Sequence, residues 1–97
     1  MTDQELNEAV ARKLGYKPND GQLIWENDEH VTFLDCEMPP YCTDIKAAWE
    51  VLEKLNDAGI GWDLTFNNKQ YRFNTDFELI DAPTAPRAIC EAFLKLP

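Results

Sequence analysis

The pattern that most restricts the fold of this chain lies between residues 62 and 73. Trp62, Leu64 and Phe66 alternate with Asp63 and Thr65, and Tyr71 and Phe73 alternate with Gln70, Arg72 and Asn74. A period of two belongs to an extended strand with one face buried. A two-residue turn at Asn68-Lys69 sets Phe66 opposite Tyr71 and Leu64 opposite Phe73, which gathers every large apolar side chain on one face. A slip of one residue would send them to the other face, so the pattern predicts an antiparallel hairpin in one register. The opposite face is polar, which implies a sheet covered on one side there. Asn-Lys is a less favourable turn pair than Asn-Gly.

Three other segments carry the helical period. Thr2 and Glu5 have the spacing of a capping box ahead of Leu6, Ala9, Val10 and Leu14, and Gly15 and Pro18 mark the end. In the second segment Thr43 reads as the cap, and Asp44 adds a negative charge at the positive helix end. Ile45, Ala48, Trp49, Leu52 and Leu55 follow as a stripe, and Gly59 is the terminator that lets Ile60 fold back onto Leu55. The third runs over residues 85–96, with Pro86 tolerated because it sits in the first turn. Residues 19–40 are less regular. Asn19-Asp20-Gly21 is a turn signal, 23–26 and 30–34 read as short strands, and Asn27-Asp28-Glu29 joins them as a hairpin loop. Residues 77–80 read as a further strand or edge segment. The expectation is an α+β fold, a small antiparallel sheet of three to four strands packed with three helices, in a single domain over residues 1–97. Trp49, Leu52, Leu55, Ile89 and Phe93 are expected in its core.

Charge narrows the function classes. The chain has 18 acidic residues against 9 basic ones, a net charge of −9. Phosphate backbones and anionic membrane surfaces repel such a chain, which argues against direct nucleic-acid or membrane binding. No apolar run approaches the roughly twenty residues of a membrane span. The segment from Met1 to Glu8 is acidic and polar, unlike a secretory leader, so a cytoplasmic location is expected. The acids either serve solubility or attract a basic protein partner. Glu26, Asp28, Glu29, Asp35 and Glu37 fall in one stretch without lysine or arginine. A hairpin there would gather them into a partner-binding patch. Trp25 reads as core, as do Trp49 and Trp62; if exposed beside these acids it would supply the patch with an apolar anchor.

No catalytic residue, metal site or cofactor is predicted. His30 is the only histidine, and Cys36 and Cys42 follow it at intervals that match no zinc pattern. Three cysteines in a cytosolic chain read as free thiols, with Cys90 a small core residue. The acids of residues 26–37 sit in turns, where carboxylates are solvated and not tuned for acid–base work.

Two segments carry a resemblance. Tyr41-Cys42-Thr43-Asp44-Ile45-Lys46-Ala47-Ala48-Trp49-Glu50-Val51 and Thr84-Ala85-Pro86-Arg87-Ala88-Ile89-Cys90-Glu91-Ala92-Phe93-Leu94 resemble the phage ABA sandwich domain, a family of small proteins of bacteriophages and prophages. Leu6-Asn7-Glu8-Ala9-Val10-Ala11 with Leu14-Gly15-Tyr16 is similar to that family's first helix. Cys42 stands where serine is expected, and Tyr16 where tryptophan is more usual. The resemblance implies helices on both sides of a small sheet, in an α-β-α sandwich, and brings no activity or ligand with it. The first functional reading is a small phage or prophage accessory protein that binds another protein in the bacterial host cell. The alternatives are an acidic mimic of nucleic acid that blocks a host DNA-binding protein, and a hydrolase with an unfamiliar site. The sequence carries no signal for oligomeric state.

Overall fold

The computed structural model describes residues 2–19, 21 and 23–96. Helix α1 spans Asp3–Lys13 and opens on the predicted capping box. The Glu5 amide donates to Thr2 Oγ1 and the Thr2 amide to Glu5 Oε1, both at 3.1 Å. Gly15, at φ +106°, turns the chain out of the helix, and the Tyr16 amide reaches back to the Ala11 carbonyl at 3.0 Å. Helix α2 spans Ile45–Asp57, and its cap is Asp44 and not Thr43. Asp44 Oδ1 accepts from the Lys46 amide at 2.9 Å, while the Thr43 hydroxyl is turned back toward the Pro40 carbonyl. The far end follows the predicted Schellman pattern, with Gly59 at φ +74° and the Ile60 amide bonded to the Leu55 carbonyl at 3.0 Å. Helix α3 spans Ala85–Lys95 with Thr84 as its cap and Pro86 in the first turn.

The described strands form two antiparallel sheets of three. Sheet 2 holds β4 (Trp62–Asn67), β5 (Gln70–Thr75) and β6 (Leu79–Ala82) in that order. Its hairpin has the predicted register, Leu64 opposite Phe73 and Phe66 opposite Tyr71. Asn68 and Lys69 both take positive φ, as a two-residue turn between twisted strands demands. Strand β6 begins two residues later than the pattern at 77–80 suggests. The Thr75 hydroxyl accepts from the Phe77 and Glu78 amides, which bends the chain before pairing resumes. Sheet 1 comes from the irregular region: β1 (Lys17–Pro18), β2 (Ile24–Glu26) and β3 (Thr32–Leu34). The turn read at Asn19-Asp20-Gly21 falls partly outside the described residues, at Asp20; Asn19 Oδ1 accepts from the Leu23 amide at 2.9 Å. The α+β class, the three helices and the antiparallel pairing are as expected, and the short strands of residues 17–34 close into a sheet of their own.

Helix α3 is the centre of the packing, in contact with β5 and β6 on one side and with α1 and α2 on the other. Phe73, Ile80 and Ala82 meet Ala88, Ile89, Ala92 and Phe93, which in turn meet Leu6, Val10, Val51, Leu52 and Leu55 in one continuous core. The far face of sheet 2 is polar and exposed, and Arg72 pairs there with Asp81 at 2.9 Å. One core expectation is corrected: Trp49 is 53% exposed. The face of α2 that meets α3 is centred on Ala48, Val51, Leu52 and Leu55, which leaves Ile45 and Trp49 at its margin.

Candidate functional site

Strand β2 points Ile24 and Glu26 outward and Trp25 inward. Trp25 is 0% exposed, which corrects its reading as a surface anchor. The Arg12 guanidinium lies 5.1 Å from its ring centroid, and Phe33 stacks on it at 6.3 Å. Its indole N–H donates to Asp35 Oδ1 at 2.9 Å. Both polar demands of a buried tryptophan, a partner for the N–H and an apolar bed for the rings, are thus met inside the protein.

The same hairpin divides the predicted acidic patch. Glu26 pairs with Thr32 and Ile24 with Leu34, so Asp28 and Glu29 sit at the tip while Asp35 and Glu37 lie at the base, on a 3-10 turn. Asn27 shapes the tip: its side-chain oxygen accepts from the Glu29 and Val31 amides, both at 2.9 Å, and His30 takes φ +64°. Glu26 faces His30 Nδ1 at 3.3 Å. His30 is 87% exposed and lines a shallow hollow with Lys17, Glu26 and Asp28.

What the structure brings together is a different set of acids. The hairpin tip faces α2 across a cleft of about 340 Å³ lined by Tyr16, Asn27, Glu29, Glu50, Glu53 and Asp57, together with Leu14, Val31 and Lys54. Glu50 is half-buried, and its carboxylate accepts from the Tyr41 hydroxyl at 3.4 Å. Burial pushes the Glu50 carboxyl above its usual range; the Tyr41 bond opposes that shift and the charge of Glu53 adds to it. Burial, then the Glu50 charge, likewise raises the Tyr16 and Tyr41 hydroxyls. The cleft therefore concentrates negative charge in a partly desolvated setting, where a guanidinium or ammonium group gains most. Glu50, Glu53 and Asp57 are spaced by three and four residues, the period of one helix face. That signal was present in the sequence, but nothing local tied it to Glu29.

The thiols are free, Cys36 at the surface and Cys42 and Cys90 buried. Burial raises the Cys42 thiol and pushes Cys90 up to about 12, which leaves neither as a nucleophile at neutral pH. Among the described residues no three His, Cys, Asp or Glu side chains are placed to hold a metal ion. No helix among them is long and apolar enough to cross a membrane. No curated protein and no solved structure matches the chain. The family model of the phage ABA sandwich domain matches residues 8–94, from within α1 to within α3. With the match covering nearly the whole chain, and the helical segments that carry the resemblance built as described, the chain belongs to the phage ABA sandwich domain family.

Proposed function

We propose that this protein is a phage or prophage accessory protein that acts in the bacterial host cytoplasm by binding a basic protein partner. The observation that carries this reading is the cleft between the β2–β3 tip and α2, where Glu29 joins Glu50, Glu53 and Asp57. Glu26 and Asp28 lie on the same hairpin and extend the negative field, while Asp35 serves Trp25. Such a field speeds encounter with a basic surface, and the cleft offers carboxylates to an entering arginine or lysine. Lys54 in the cleft and Lys17 beside Glu26 interrupt the acidic surface, which favours this reading over mimicry of a nucleic acid. The open, exposed setting of His30 speaks for protein binding over hydrolysis.

Affinity capture from host lysate, with mass spectrometry, names the partner. Its affinity for the purified protein is then compared with that for the Glu29→Lys/Glu53→Lys variant. The expected outcome is a loss of about tenfold or more, with parent affinity falling as salt rises. Equal affinity of the folded variant, or binding indifferent to salt, overturns the reading.

A further inference from the structure

Strand β4 forms one margin of sheet 2, and it is an unusual margin. Natural sheets blunt their edges with proline, lysine, bulges or short length. The other margin, β6, is four residues long and runs into Pro83. Strand β4 has six residues, none of them proline or lysine and only Asp63 charged, in an unbroken ladder with β5.

The hairpin register fixes which backbone groups this edge presents. A two-residue turn closes on a pair that exchanges both hydrogen bonds, here Asn67 and Gln70. Bonded pairs alternate along the ladder, so Thr65 and Asp63 also turn their amides and carbonyls toward β5. The N–H and C=O groups of Trp62, Leu64 and Phe66 then point to the open side. Among the described residues none of these has a backbone partner there. The same three residues carry the apolar face, and Phe66 is 62% exposed.

Helix α2 places a second apolar set on this side. Asn56 Oδ1 accepts from the Trp62 indole N–H at 3.0 Å, so the Asn56 face of α2 looks toward β4. Trp49 lies seven residues before Asn56, close to the same helical angle, and Ile45 lies four before Trp49. Both are about half exposed.

We propose that β4 pairs antiparallel with β4 of a second copy of this chain, about a two-fold axis through Leu64. This register is self-complementary. Leu64 meets the second copy's Leu64, and Trp62 meets its Phe66, each as a hydrogen-bonded pair that uses the open groups. On the polar face Asp63 falls opposite the second copy's Thr65, so no like charges are opposed. The two sheets become one of six strands, and Ile45 and Trp49 of each copy are brought toward the joint. The inference does not depend on the acidic cleft, which is formed by the β2–β3 tip and the side of α2 that carries Glu50 and Asp57.

Sedimentation velocity of the full chain across a concentration series tests it. A reversible dimer is expected, tighter in high salt, because screening relieves the repulsion between two chains of −9 each. A basic partner at the cleft would respond to salt in the opposite direction. Thr65→Asp sets the new carboxylate opposite the second copy's Asp63 and beside Arg72 of its own sheet, so the monomer keeps its fold. Association should weaken about tenfold from the two symmetric clashes. Adding Asp63→Lys turns each clash into an opposite-charge pair and should restore it. Trp49→Glu, on the helix and clear of the ladder, should weaken it as well. A chain that stays monomeric to ~1 mM, a dimer indifferent to Thr65→Asp, or a loss that Asp63→Lys does not recover overturns the proposal.

Discussion

Sheet 2 and sheet 1 each have three antiparallel strands, yet they are held by different means. In sheet 2 the backbone dominates. All six residues of β4 are paired with β5, a two-residue turn sets the register, and apolar side chains line one face from Trp62 to Phe73. In sheet 1 the strands are two or three residues long, too short to be stable alone. Side chains hold it: Trp25 between Arg12 and Phe33, Phe33 against Tyr16 at 4.8 Å, Trp25 bonded to Asp35, and Asn27 closing the loop. A sheet can thus be specified by periodicity along the chain or by one aromatic residue and its satisfied partners.

The sharpest way to break this contrast is Trp25→Ala. Removing a fully buried indole should cost about 3–5 kcal/mol, a large share of a small domain's stability. Urea denaturation reads the cost, and hydrogen exchange should show amides of residues 24–34 losing protection ahead of those in β4 and β5. An unchanged midpoint would mean that Trp25 does not anchor sheet 1.

A smaller effect is expected at Asp35, whose carboxylate serves the indole and not a partner. Asp35→Ala leaves a buried N–H without an acceptor and should cost about 1–3 kcal/mol, whereas Asp35→Asn, which keeps an oxygen in place, should cost less. Equal losses for the two variants would show that the hydrogen bond is not the source.

The smallest effect sharpens the other side of the comparison. Lys69 holds φ +63°, a conformation that glycine adopts without strain. Lys69→Gly should raise the thermal midpoint modestly, by ~1 kcal/mol or less of added stability. A lowered midpoint would mean that the turn contributes more through the Lys69 side chain than through its backbone.

The contrast also explains what could be read in the sequence. The capping box at Thr2 and Glu5, the Gly59–Ile60 ending and the pairing of Leu64 with Phe73 are local signals, complete within a few residues or one hairpin. Periodicity alone places Trp49 in the core because the stripe of α2 is wide, and only contact with α3 decides that Val51 and not Trp49 lies inside. Periodicity does not decide the side of Trp25, because its strand is three residues long, too short for alternation to declare a face. The cleft acids were separately visible on α2 and in the β2–β3 loop. Their meeting depends on how sheet 1 lies against the helices, which no spacing along the chain encodes.

The central place of α3 has a consequence for how the chain comes into being. It lies between sheet 2 and the other helices, yet follows all of them in sequence. On a ribosome adding about 5–20 residues per second, the apolar faces of α1, α2 and sheet 2 leave the exit tunnel before their common partner does. The hairpin and helices can flicker locally, with Trp62 stacked on Phe73 at 5.7 Å, but the core that buries Phe73 and Val51 stays open until Ile89 and Phe93 arrive. Folding of this domain is therefore a single event that waits for α3. A message broken before the codon for Thr84 yields a product for proteases, not a partly working protein.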